Sequence, residues 1–238
     1  VGVQLMSTFT VIAGREVHLA LRNRSIIITA FIFAVWFPAL SAVGMVATSG
    51  GGAEAVSGAV AAVTLPVAIL MGYIFCSDAF LREKRDGSIE TLLCAPVSLR
   101  HLWAGKTCGV AIPAYLTTLL SAVVTLAMAS AMLEAPPSLD LLLIPHMLVV
   151  VPVWILTAAG FVGAAQLALG MRENQILGFL FIFGFIFLIG GLQGIISGGA
   201  EISAAAEAAL AAAGAALLGL ARFIAGKVSK ERIVTTIP

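Results

Sequence analysis

Long uncharged apolar runs alternate along this chain with short charged ones. The uncharged stretches cover 25–53, 55–77, 107–133, 141–171, 174–200 and 208–221. A helix rising about 1.5 Å per residue needs about eighteen to twenty residues to cross roughly 30 Å of hydrocarbon, and the first five runs exceed that. The sixth is shorter, lying between Glu207 and Arg222, but Arg222 can snorkel and the apolar character continues to Gly226. The pattern predicts an all-α polytopic membrane protein with six transmembrane helices at 25–48, 58–81, 105–133, 140–169, 175–197 and 204–226. They form one domain over 1–238, with no repeat, soluble domain or long linker.

Residues 6–24, ahead of the first span, change period. At about 100° per residue Arg15, His18 and Arg22 share a polar stripe, with Glu16 beside it, while Phe9, Ile12, Val17 and Ala20 fall on the other side. Such a helix can lie in the membrane interface; the alternative is a plain juxtamembrane segment. Pro38, Pro66, Pro113, Pro145 and Pro152 fall inside spans, where Pro gives kinked helices. Gly190, Gly194 and Gly198 form a small-residue ridge on the fifth span, suited either to a subunit contact or to packing within the chain.

Charge then sets the orientation. All thirteen Lys and Arg fall on one side of the six-span arrangement: Arg15, Arg22 and Arg24; Arg82, Lys84, Arg85, Arg100 and Lys106; Arg172; and Arg222, Lys227, Lys230 and Arg232. The opposite loops hold Glu54, Glu134, Asp140 and Glu201 and no cation, so both termini are expected in the cytoplasm. Five spans would put the last four cations outside. The first fourteen residues lack a basic n-region and a cleavage motif, so no signal peptide is expected. Hydrophobic residues make up 61% of the chain and mean hydropathy is +1.10, outside the range of soluble domains. A net charge of +1 gives no reason to expect nucleic acid. Cys76, Cys94 and Cys108 all fall near the reducing side, so no structural disulfide is expected.

The loop at 82–104 carries more than a tether requires. Asp86-Gly87-Ser88 predicts a turn and a helix start, with Ser88 as cap and Glu90 complementing the dipole. Pro96 limits that helix to about two turns, and Ser98 can cap the next one. A helix so short is marginal in water, so its apolar Ile89, Leu92 and Leu93 need a surface to cover them. That surface is either the chain's own helix ends or a cytosolic partner.

The pattern Glu83-x-x-x-Gly87-Ser88-x-Glu90-x-Leu92-Leu93-x-x-Pro96-x-Ser98, followed by Gly105-Lys106, resembles the cytoplasmic loop of ABC type-2 exporter permeases, membrane subunits of ATP-binding-cassette transporters. An N-terminal elbow helix with Arg15-Glu16, the short connection Met171–Gln175 and the basic ending fit the same family. The resemblance implies that 88–95 is a coupling helix seated in a separate ATPase subunit, with Glu83, Gly87, Ser88, Glu90, Leu92 and Pro96 carried over from the loop pattern. It further implies ATP with Mg in that partner, no cofactor on this chain, and two permeases in the plasma membrane as a homodimer or pseudo-dimer. The third external loop, near 198–203, is shorter than in members that place gating helices there.

Other activities find little support. Gly105-Lys106-Thr107 imitates the end of a phosphate-binding loop, but Arg100 stands where its first Gly is needed and no strand precedes it. An intramembrane enzyme needs a Ser–His pair, an Asp pair or a metal site; His146 is the only His in a span, and its place near the outer interface suggests packing or headgroup contact. An ion-coupled secondary transporter, the alternative function, needs ionisable groups at the midplane. There the sequence offers Gln166 and Gln193, with Glu207 near the outer edge. The sparse charge in the spans leans towards an apolar or amphiphilic cargo.

Overall fold

In a computed structural model, residues 2–48, 54–88, 98–133, 139–197 and 203–228 are described, and every regular element among them is helical. The helices are α1 (Gly2–Arg22), α2 (Arg24–Thr48), α3 (Glu54–Arg85), α4 (Leu99–Leu133), α5 (Leu143–Ala168), α6 (Met171–Ser197) and α7 (Ala204–Ala225). Within α5 one π turn, His146–Val150, follows Pro145 directly. Five described segments are long and apolar enough to cross a membrane: Arg24–Gly44, Val56–Arg85, Leu99–Met132, Leu143–Ala168 and Ala204–Ala225. The last is the run the sequence left shortest. Helix α6 is 27 residues long and uncharged from Asn174 onwards.

Helix α3 is the axis of the packing, with α2, α4, α5 and α6 against it. Its Val67, Met71, Phe75 and Phe80 are buried with Val110 and Ala114 of α4 and Ile155, Ala159 and Val162 of α5. Ala221 and Ala225 bring the end of α7 into the same core. Small residues set the α3–α5 separation: a Cβ on Gly72 would lie 2.8 Å from the Ile155 carbonyl, and one on Gly163 would lie 2.8 Å from the Phe80 ring. Ile28, Phe31 and Trp36 of α2 and Phe179, Leu180 and Phe183 of α6 point outwards. An outer surface of this kind suits lipid, whose tails are as apolar as Leu.

The Ser98 cap expected from the sequence forms, and Ser203 supplies a second that was not expected from the sequence. Ser98 Oγ accepts from the His101 N–H at 3.3 Å at the start of α4, and Ser203 Oγ accepts from Ala206 N–H at 3.2 Å at the start of α7. Pro38, Pro66 and Pro113 sit inside α2, α3 and α4.

Candidate functional site

Helix α3 does not stop where its apolar run stops. It continues through Arg85, so Arg82, Glu83 and Lys84 are held on its last turns rather than on a loop. It ends at Gly87, whose φ of 67° is a left-handed conformation that a Cβ disfavours. Ser88 is helical again, and its hydroxyl lies 3.5 Å from the Glu83 carbonyl, the long limit of a hydrogen bond. Ile89, Glu90, Leu92, Leu93 and Pro96 lie outside the described residues.

Consecutive residues at this end are gripped from opposite sides. Glu83 turns towards α1 and α4. Its Oε1 accepts from Arg15 Nη1 at 3.0 Å and lies 3.0 Å from Lys106 Nζ. Lys106, 1% exposed, also donates to Glu16 Oε1 at 2.7 Å and to the Ala79 carbonyl at 3.2 Å, with the Phe80 ring centroid 5.1 Å away. Three acceptor oxygens therefore lie within 3.2 Å of the ammonium. Arg82 closes the group, donating to Asp78 Oδ2 at 2.6 Å and lying 3.7 Å from Glu16 Oε2. Asn23, between α1 and α2, donates to the other Asp78 oxygen at 3.3 Å.

Three acids, Glu16, Asp78 and Glu83, thus face three bases, Arg15, Arg82 and Lys106. The local charge is balanced, which a mostly dehydrated site requires. The balance leaves two loose ends, because Glu16 Oε2 and Glu83 Oε2 are buried without a hydrogen bond.

Lys84 turns the other way. Its Nζ donates to the carbonyls of Leu169 at 2.7 Å and Leu167 at 3.4 Å, which end α5. A cation there satisfies end carbonyls and complements the helix dipole. Asn174 of α6 donates to the same Leu169 carbonyl at 3.3 Å, and Glu173 accepts from Gly170 N–H at 2.9 Å. The last turns of α3 are therefore tied to α1 and α4 through Glu83 and to the α5–α6 connection through Lys84.

The approach of α1 to α4 makes this possible. Cβ atoms on Gly105 and Gly109 would fall 2.9 Å from Ile12 Cγ2 and 2.7 Å from the Ala13 carbonyl, so α1 crosses α4 over a groove floored by two glycines one turn apart. Lys106 stands beside the first. The residues that imitated a phosphate loop serve a helix crossing and a buried ion pair.

Arg15 and Glu16 of the elbow pattern enter the group, while His18 and Arg22 are exposed and outside it. Arg82, Lys106 and Asp78 are the members the sequence did not single out as site residues; for Lys106, a cation two turns into a Ser-capped helix, among apolar neighbours, was the available signal. His146, expected in packing or at a headgroup, is buried between helices, the first of those two places. Gly190 and Gly194 lie in α6, and Gly198 lies outside the described residues.

A family described as ABC-2 family transporter protein matches residues 19–191, from the end of α1 into α6. Comparison with curated proteins found no match.

Proposed function

This chain belongs to the ABC-2 family of transporter proteins, and from that premise we propose that it is the permease of an exporter, driven by ATP hydrolysis in a separate subunit. A multi-pass membrane permease of an ABC transporter is what the family match and the apolar helices establish. The drive, the direction and the docking site are the proposal.

In it, six helices span the cytoplasmic membrane, α2 to α7, with both termini in the cytoplasm. Helix α1 is the elbow helix in the interface. Residues 88–95 form the coupling helix, with Ile89, Leu92 and Leu93 seated in a groove of the ATPase. ATP with Mg is bound and hydrolysed in that partner, and two permeases assemble with two ATPases. This chain contributes no catalytic group.

The observation that carries the mechanism is the double grip on the end of α3. A displacement of 88–95 meets Glu83 and Lys84 within two turns, before reaching any lipid-facing part of the chain. Through Glu83 it moves α1 and α4 by way of Arg15 and Lys106. Through Lys84 it moves the end of α5. Closure of the ATPase pair so becomes a rearrangement of several spans at once, as alternating access requires.

The test is co-purification. Leu92→Asp or Leu93→Asp should abolish recovery of the ATPase with the permease while leaving membrane insertion intact. Undiminished recovery would show that the segment is not the docking helix.

A further inference from the structure

Far from the charged end of α3, a second polar group joins three helices at their opposite ends. His146 lies on the π turn of α5 and is 1% exposed. Its Nδ1 is 2.9 Å and 3.1 Å from the two carboxylate oxygens of Glu207, in the first turn of α7. Its Nε2 is 3.1 Å from Thr64 Oγ1 of α3. Thr64 has one hydroxyl proton, and the Val60 carbonyl at 2.8 Å takes it, with the Ala61 carbonyl next at 3.2 Å. The Thr64 oxygen is left to accept from Nε2, as the carboxylate accepts from Nδ1. With the Thr64 proton spent on Val60, the geometry has an acceptor facing each ring nitrogen, an arrangement in which a ring carrying two protons satisfies both and leaves the pair neutral overall.

Among the described residues, no other group near the trio supplies the balancing charge. The stretches 55–77 of α3, 107–133 of α4 and 208–221 of α7 are uncharged, and His146 is the one titratable side chain of α5. From α4 the nearest titratable group is Tyr115, whose hydroxyl donates to the Met147 carbonyl at 3.1 Å. Asp140, ahead of α5, is exposed and accepts from Leu142 N–H at 2.9 Å. Without its second proton the trio would leave one net negative charge in an apolar setting, which is costly.

We propose that His146, Glu207 and Thr64 form a proton-binding site, filled by one proton while α7 is seated on α5 and emptied when their ends separate. The ligand is a proton from the adjoining aqueous phase, and it returns there when the two side chains separate into water. A π turn suits this role: such turns recur at functional sites, and this one aims His146 inwards. Separation is local, because Glu207 is the charged anchor of a helix whose other polar ties to α5 are Trp154 Nε1–H to the Leu210 carbonyl and Thr157 Oγ1–H to the Gly214 carbonyl. The site is independent of the docking helix and of the ATPase.

The permease alone, labelled with nitrogen-15 histidine in lipid nanodiscs, gives the first test. The chain has three histidines, so the signal lost in His146→Gln identifies its owner. At neutral pH that signal should show two protonated ring nitrogens, and Glu207→Gln should convert it to one. A singly protonated His146 in the parent protein, or no change in Glu207→Gln, overturns the site. The second test uses the assembled transporter in weak buffer with a pH-indicator dye. Passage between nucleotide-free and ATP-trapped states should move about one proton per permease, and His146→Gln should move none. Equal exchange by the variant, or none by the parent, overturns the link to α7 movement. The first result stands whether or not the ATPase assignment does.

Discussion

Replacing Lys106 with Met isolates the centre of the cytoplasmic charge group, because Met keeps the volume and removes only the ammonium. The gross attraction to Glu16 at 2.7 Å and Glu83 at 3.0 Å is about 6 kcal/mol each at an effective dielectric near 20. Desolvation of three charges offsets most of that, so the pair adds little over an apolar replacement of all its members. Removing one member is different. Glu16 and Glu83 would face each other across the vacated site, both buried, with only half-exposed Arg15 and the more distant Arg82 to compensate. Breaking a buried pair in this way costs about 3–5 kcal/mol. At about 2–4 °C per kcal/mol for a chain of this size, Tm should fall by roughly 6–20 °C. The assay is thermal unfolding of the purified permease followed by tryptophan fluorescence. Adding Glu16→Gln to Lys106→Met should recover part of the loss, since it removes one stranded carboxylate. An unchanged Tm in Lys106→Met, or additive losses in the double variant, would refute the claim that these charges are coupled.

Other perturbations separate the parts. Gly109→Ala places a methyl 2.7 Å from the Ala13 carbonyl and should cost about 1–3 kcal/mol in the same assay, whereas Gly14→Ala, with nothing within 4 Å, should be neutral or stabilising. Lys84→Met strips a donor from the end of α5 and should cost about 1–3 kcal/mol; it should also lower transport-linked ATPase activity while leaving ATPase co-purification intact. Gly87→Ala, at φ 67°, should cost about 1 kcal/mol, read as a modest drop in Tm. A reporter fused after Pro238 should signal from the cytoplasm; an external signal would refute the six-span orientation.

Helix positions were legible because lipid imposes a crude rule: length and absence of charge. The run at 208–221 is short by that rule, yet α7 extends from Ala204 to Ala225 because Ser203 caps it early and Arg222, in its last turn, is exposed. The turn at Gly87 was legible for a local reason, since Asp-Gly-Ser chemistry does not depend on neighbours. The partners of Lys106 were not legible. Glu16 and Glu83 are 90 and 23 residues from it, and no period in the sequence links positions on three different helices. His146 and Glu207, 61 residues apart, escaped notice for the same reason and for a second one. Taken alone, a single ionisable group near an interface reads as a packing or headgroup contact; only the packing of α5 on α7 makes them a buried pair.

The composition of the α1–α4 crossing follows from its solvent. In water, apolar side chains alone would hold α1 against α4, but towards lipid an apolar contact has little advantage over a lipid tail. What remains is close packing and hydrogen bonding, and α4 supplies both on one face. Gly105 and Gly109 let the backbones approach, and Lys106 between them finds Glu16 only at that distance. The same reasoning predicts an order of effects. Gly109→Leu should abolish the Lys106–Glu16 contact as well as the packing, so its stability loss should not add to that of Lys106→Met. Full additivity in the double variant would mean that the glycine groove and the ion pair hold α1 independently.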